Sequence, residues 1–312
     1  MAVNERIFRE LLKRGYSEQG KIRVWDISDS KLWYFTPELS KSFLKLERYR
    51  PYKKNFIDRE INLIKSNINQ ILKMLSEKRF NLIDLGSGNG EKAEVFIKSL
   101  PNDARLRYCP VDISPQFVKL TMSRIRRMNS SKVMATKQFT ENFRNLDNIV
   151  GLVLSGQYPR NICLLLGATL SHYDINDLLF TISNGMFKGD VLVIGNGIRK
   201  GKRFVELEKY KVHFFDEWFI NIMKGLGFSE EELKYDARFA NKRLEALYKI
   251  LVDKEINYAG RSVKFSKGDE VIVAVQYKYF PAELEKFCKM YFSSVEIIKD
   301  KDEEYCLVLC KK

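Results

Sequence analysis

The sequence predicts an α/β protein: a seven-stranded, mostly parallel sheet wrapped by helices, closed by an antiparallel hairpin and joined to a second lobe. Three observations predict it. Short apolar runs alternate with helical patterns over residues 81–195, the signature of parallel strands with crossover helices. A glycine-rich turn links the first of those runs to the helix behind it. The chain closes with one helical pattern and two short strands joined by a charged turn.

Taken in order, residues 5–13 read as a short helix, and Trp25, Trp33, Tyr34 and Phe35 follow in a stretch of mixed polarity. Leu44, Tyr49, Pro51 and Tyr52 mark an aromatic segment interrupted by proline. From Asp58, a candidate N-cap, apolar residues recur at helical spacing through Ile61, Ile64, Ile68, Ile71, Leu72 and Leu75. Strands are expected at Asn81-Leu82-Ile83-Asp84-Leu85, at residues 107–112, at Lys132-Val133-Met134-Ala135-Thr136, at residues 161–166 and at Val191-Leu192-Val193-Ile194-Gly195. The fourth is a continuous apolar run, as a strand buried on both faces requires. Ser114-Pro115 suits the start of one helix, and Asp174 caps the next. Residues 204–223 and 241–251 show helical patterns, and 257–265 and 271–279 resemble strands. Residues 283–291 read as a helix, followed by strands Ser294-Val295-Glu296-Ile297-Ile298 and Tyr305-Cys306-Leu307-Val308-Leu309.

The richest stretch is Asp84-Leu85-Gly86-Ser87-Gly88-Asn89-Gly90-Glu91-Lys92. Alternate glycines let the backbone adopt conformations closed to other residues and let a ligand lie against the main chain. The helix behind them directs free N–H groups at that ligand. The pattern D-x-G-x-G-x-G differs from the G-x-G-x-x-G/A of nicotinamide proteins. An acid two residues before the first glycine suits a ligand with an ammonium group, such as S-adenosylmethionine (SAM). The next strand, Arg107-Tyr108-Cys109-Pro110-Val111-Asp112, ends in a carboxylate able to accept both hydroxyls of a ribose.

Composition narrows the class. The chain has 312 residues, 45% of them hydrophobic, enough for one large domain or two modest ones. No apolar run reaches membrane-span length, and the charged N-terminal pattern lacks the apolar core of a signal peptide. Five scattered cysteines with no C-x-x-C pair point to reduced thiols in the cytoplasm. With only two histidines, His172 and His213, no histidine-rich metal site is expected. The net charge of +14 suits an anionic partner or reflects a lysine-rich surface, since both signs are interspersed.

From about Leu32 onward the chain resembles the histidine-specific SAM-dependent methyltransferases of ergothioneine biosynthesis and their fungal relatives. The resemblance rests on Asp84-Leu85-Gly86-Ser87-Gly88 with Glu91-Lys92, on Pro110-Val111-Asp112-Ile113-Ser114, on Leu166-Gly167-Ala168-Thr169-Leu170 and on Phe265-Ser266-Lys267-Gly268-Asp269-Glu270. It implies the class I SAM-methyltransferase fold, a Rossmann-like seven-stranded sheet with a terminal antiparallel hairpin, plus a substrate-binding lobe. Residues 56–195 and 281–312 would form the SAM domain, and 1–55 and 196–280 the lobe. The cofactor would be SAM and its product S-adenosylhomocysteine. Gly86, Ser87 and Gly88 would pass under the methionine part, with Asp84 and Asn89 in the same turn. Lys92 would reach the nucleoside side and Asp112 would hold the ribose. Gln138 would accept from the adenine amine where the family has Asp, and Phe139 would pack on adenine or serve the core. Gly167 and Thr169 belong to the turn after the fourth strand.

The substrate half departs from the family. Ser171-His172 stand where it carries Gly-Asn, and Ala274 and Gln276 stand where it carries the Glu and Ser that hold an imidazole. Alanine accepts no hydrogen bond, and a donor left unpaired there is costly. The sequence therefore predicts a small-molecule, amino-acid or peptide substrate other than free histidine, methylated on nitrogen. His172 follows the fourth strand, where it would accept the nucleophile's proton, orient the nucleophile or serve structure alone; His213 is the weaker candidate. Tyr49, Tyr52, Tyr277 and Tyr279 are candidates for an aromatic pocket that attracts cations or for interface packing. An RNA substrate and a SAM-binding regulatory protein without turnover are the alternatives. Against RNA, no Asn/Asp-Pro-Pro-aromatic motif follows the fourth strand.

Overall fold

The computed structural model describes residues 3–75, 77–154, 156–201 and 207–312. In chain order the elements begin with α1 (Glu5–Arg14), β1 (Tyr16–Gln19), β2 (Ile22–Asp26) and α2 (Pro37–Arg48). The helical stretch α3 (Arg50–Tyr52), a π-turn and α4 (Asp58–Leu75) precede β3 (Arg79–Leu85). Then come α5 (Glu91–Ser99), β4 (Arg105–Asp112), α6 (Pro115–Met128), β5 (Val133–Thr136), the two-residue β6 (Phe139–Thr140) and α7 (Leu146–Val153). β7 (Asn161–Leu165), α8 (Ile175–Asn184) and β8 (Val191–Gly197) complete the alternating part. The rest comprises α9 (His213–Gly225), β9 (Leu233–Ala240), β10 (Arg243–Ile250), β11 (Lys254–Tyr258), β12 (Arg261–Phe265), β13 (Glu270–Tyr277), α10 (Pro281–Lys289), β14 (Ser294–Lys299) and β15 (Tyr305–Lys311). No helix among the described residues is long and apolar enough to cross a membrane.

Packing divides the chain into two units. The larger comprises residues 50–201 and 278–312. Its sheet runs β14-β15-β8-β7-β3-β4-β5, with β6 alongside β4. Strands β3, β4, β5, β7 and β8 are parallel, and β15 runs antiparallel to both β8 and β14. The terminal hairpin expected from sequence is present. Successive residues of each central strand feed opposite faces. Leu82, Tyr108, Ile162 and Val193 pack with Ile64, Phe96 and Val118 of α4, α5 and α6. Ile83, Cys109, Cys163 and Leu192 pack with Val150, Leu179 and Leu284 of α7, α8 and α10. A sheet covered on both faces explains the continuous apolar strands.

The smaller unit holds residues 3–49 and 207–277 among those described. Its sheet runs β1-β2-β13-β10-β9, with only β2 and β13 parallel. Trp33 donates through Nε1 to Val273 O (2.9 Å), and Trp218 Nε1 donates to Trp33 O (3.2 Å). Their rings meet edge-on at 5.6 Å.

Three expectations are corrected here. Within residues 241–251, Arg243–Ile250 form strand β10, not a helix. Leu244, Glu245, Ala246, Leu247 and Lys249 are good helix formers, but β10 is the central strand between β9 and β13, and two ladders outweigh propensity. Asn241 and Lys242, at φ 51° and 63°, make the tight turn from β9. Residues 257–265 are not one strand but part of the β11–β12 hairpin, turning at Ala259 and Gly260. Asp58 is not a cap; its backbone is already helical because α3 and the π-turn run into α4. In the helical pattern 204–223, residues 204–206 lie outside the described residues, and α9 begins at His213.

Candidate active site

The glycine turn is built by strand β3 ending beside β4. Gly86 N and Ser87 N donate to Val111 O (2.8 and 3.2 Å), and Gly88 N donates to Asp112 Oδ2 (3.0 Å). Gly86, Gly88 and Gly90 have φ of 76°, 52° and 76°, the left-handed region that glycine alone enters freely. Asn89 Oδ1 accepts from Glu91 N (2.8 Å) at the start of α5. A methyl group built on Gly90 would strike Thr121 Oγ1 at 2.0 Å, so this glycine lets the turn press against α6. One built on Gly88 meets nothing within 4 Å, and one on Gly86 only Thr169 Oγ1, at 4.0 Å. The turn therefore presents bare main chain to open space. Ser87 Oγ is buried without a hydrogen-bond partner. An open glycine cradle and an orphaned buried hydroxyl fit a ligand seated there.

Asp112 lies at the carboxyl end of β4, buried, its second oxygen accepting from Ser114 N (2.9 Å). Burial pushes its pKa up to about 6, against the backbone hydrogen bonds of Ser114 and Gly88. Residues 137–140 return beside it: β6 pairs Phe139 with Val111 and Thr140 with Asp112. Gln138 is exposed, while Phe139 is half-buried and packs against the core. Asp84 faces inward. It accepts from Tyr108 Oη (2.7 Å), and burial pushes it up to about 6 as well, opposed by that hydrogen bond and by Lys92.

Glu60 of α4 was missed by sequence reasoning. It is fully buried, with Oε2 2.5 Å from Lys92 Nζ and Oε1 accepting from Tyr305 Oη (2.8 Å). Gly167 N donates to both of its oxygens (2.9 and 3.1 Å). Lys92 Nζ lies against Gly167, where an added methyl group would sit 2.8 Å away. One carboxylate thus ties α4, α5, β15 and the turn after β7. The signal was in the pattern: Glu60, Ile64, Ile68, Ile71 and Leu75 follow one helical stripe, and an acid in a core stripe demands a buried partner.

The turn after β7 holds Gly167 and Ala168 at φ 75° and 59°. For alanine that region costs about 1 kcal/mol. Thr169 Oγ1 donates to Leu166 O (2.7 Å), and a short 3₁₀ turn, Thr169–His172, ends on the half-buried His172. The structure thus gathers Gly86, Lys92, Gly167 and Thr169, with Gly88 and Asp112 adjoining.

Of the remaining candidates, Tyr52 and Tyr279 belong to the large unit. Tyr52 packs on Phe56 (4.9 Å) and Tyr279 on Phe287 (6.0 Å). Tyr49, Tyr277 and Gln276 belong to the small one. Tyr49 stacks on Phe214 at 4.1 Å, and Gln276 Oε1 accepts from Tyr210 Oη (3.0 Å). Ala274 is buried. His213 is exposed, 3.0 Å from Glu217.

A model of the family described as histidine-specific methyltransferase, SAM-dependent, matches residues 38–312. No curated protein matches the chain in sequence. Solved structures similar to it include an S-adenosylmethionine-dependent methyltransferase from Clostridium acetobutylicum. It is 12% identical, with 87% of this chain and 97% of that one covered and a TM-score of 0.49. DesVI of Streptomyces venezuelae is 12% identical over 87% of this chain and 96% of its own, with a TM-score of 0.40. SAM-bound CalS10, an amino pentose methyltransferase from Micromonospora echinaspora, is 12% identical over 81% and 92%, with a TM-score of 0.39.

Proposed function

Because the chain belongs to the histidine-specific, SAM-dependent methyltransferase family, we propose that it methylates a nitrogen of a small molecule, an amino-acid derivative or a peptide, and that free histidine is not its substrate. The observation supporting the donor half is the open glycine turn, bare at Gly88 and bonded to Asp112. Against histidine stands the resemblance's placing of Ala274 and Gln276 where the family holds the imidazole, together with Gln276 Oε1 already accepting from Tyr210 Oη.

SAM supplies an activated methyl group for in-line displacement, so the protein's work is alignment and exclusion of water. Gly86, Ser87 and Gly88 would cradle the donor, Asp112 would accept its ribose hydroxyls, and Gln138 and Phe139 would meet its adenine. Glu60 fixes Lys92 and the Gly167 amide behind that cradle. An amine must be neutral to attack. We assign His172 the role of taking that proton on a ring nitrogen, because it ends the turn that begins at Gly167 and Thr169.

The test is calorimetry with SAM and S-adenosylhomocysteine, then with histidine added to the second complex. Asp112→Ala should weaken both adenosyl ligands at least about tenfold, since hydrogen bonds to a charged group contribute about 1.5–3 kcal/mol each. Histidine should not bind. Histidine binding in the presence of S-adenosylhomocysteine would overturn the substrate reading, and unaltered affinity in Asp112→Ala would overturn the ribose role.

A further inference from the structure

At the opposite end of the large sheet from the glycine turn lies a cavity of about 510 Å³ lined by Arg79, Arg105, Arg107, Lys137, Gln157 and Tyr158, among others. That volume is within the range of small-molecule sites. Arg79 opens β3 and Arg105 opens β4, while Gly86 and Asp112 stand at the other ends of those strands. At about 3.3 Å per residue Arg79 and Arg105 stand roughly 20 Å from Gly86 and Asp112, whereas Lys137, at the near side of the cavity, directly precedes Gln138 and lies 5.9 Å over the Phe139 ring.

Its charge is unusual for a surface fold. Arg79 and Arg105 are register partners on neighbouring strands, and like charges placed opposite one another destabilise a sheet. Arg107, two residues on, shares a face with Arg105. No carboxylate lines the cavity. Arg105 Nη1 donates to the carbonyls of Asn102 and Ala104 (2.7 and 2.8 Å), and Lys137 Nζ donates to that of Leu152 (2.9 Å). Arg107 donates to Val153 O (3.0 Å) and lies 4.5 Å over the Tyr158 ring. The carbonyl partners of Arg105 and Lys137 are neutral, and hold these cations in place without neutralising them. Asp103, just ahead of β4 and outside the cavity lining, is ion-paired with Lys78 and is acted on only secondarily by the charge of Arg105. Among the described residues Arg79, Arg105 and Lys137 form no ion pair. The surrounding sequence is biased in the same sense: between residues 104 and 160 stand ten Lys or Arg and three Asp or Glu, half of the chain's net +14.

We propose that this cavity binds a compact phosphate-bearing anion, held chiefly by Arg79, Arg105 and Arg107 toward the strand starts, with Lys137 at its near side. Guanidinium groups match phosphate geometry by paired hydrogen bonds. A concave site walled by Tyr158 and Met134 suits a small ligand better than an extended strand of nucleic acid.

The experiment titrates the full-length protein with inorganic pyrophosphate, with ATP and with a twelve-nucleotide single-stranded RNA, at low and high salt. Pyrophosphate should bind, more weakly at high salt, and the double variant Arg79→Ala/Arg105→Ala should lose about a hundredfold in affinity, about tenfold per arginine. SAM affinity should not move, and the thermal midpoint should not fall, since the facing like charges are gone. Equal binding of pyrophosphate and ATP would mean that phosphate alone is read, whereas tighter ATP would mean a nucleotide; either supports the site. Absence of binding of both at millimolar concentration, or unchanged affinity in the double variant, would overturn it. So would RNA binding with a steep salt dependence and no response to pyrophosphate.

Discussion

Replacing Glu60 by glutamine removes one charge from the buried junction beside the turn after β7 and little else. The carboxylate is wholly buried, with Lys92 at 2.5 Å, Tyr305 Oη at 2.8 Å and the Gly167 amide shared between its oxygens. A glutamine can keep its single oxygen toward Tyr305 and Gly167, but its amide donors then face the ammonium of Lys92. The ammonium, its side chain 22% exposed, loses its countercharge where water reaches it only partly. Removing one partner of a buried pair costs about 3–5 kcal/mol, and the residual water contact puts this case at the lower figure. For a chain of 312 residues about 3 kcal/mol lowers the thermal midpoint by roughly 5 °C. Circular dichroism melts of Glu60→Gln, Lys92→Met and the double variant measure it. The double variant should be more stable than Glu60→Gln alone, because the orphaned cation is gone. A loss below about 1 kcal/mol in Glu60→Gln, or strict additivity of the two substitutions, would refute the reasoning.

Two further outcomes follow from the same geometry. Gly195→Ala would place a methyl group 1.6 Å from Glu60 Oε1; overpacking of this kind costs about 1–3 kcal/mol or more, and a melting midpoint equal to that of the native protein would contradict the packing. Asp112 has a pKa of about 6 in the fold against 3.8 outside it. A carboxyl raised in this way adds stability that is complete below 3.8 and lost as pH climbs through about 6. Ionising Asp112 thus costs about 3 kcal/mol at pH 7, and Asp112→Asn should flatten the stability profile between about pH 4 and 6 by that amount; parallel profiles would be the contrary result.

Local order made much of this protein legible in its sequence. The strand into Leu85, the glycine turn and the helix from Glu91 are contiguous, and their glycines declare backbone angles before any tertiary contact exists. Asp112 was legible because a strand end places its own side chain. The apolar run at residues 161–165 and the closing hairpin announced themselves by pattern alone.

What tertiary structure decided involves residues distant in sequence. Strand β10 is spelled in helix formers and became a strand because β9 and β13 flank it on both sides, and ladder pairing is invisible to a local window. Glu60, Lys92, Gly167, Gly195 and Tyr305 come from five separate elements or turns, and only folding turns an acid on an apolar stripe into the anchor of a buried junction. The same holds for Arg79 beside Arg105. Their shared corner exists because β3 and β4 pair in parallel, which brings two strand starts 26 positions apart into register. Backbone preference is a property of neighbouring residues and can be read from their order; the partners that offset a buried charge, or leave one unbalanced, are set by which strands and helices meet.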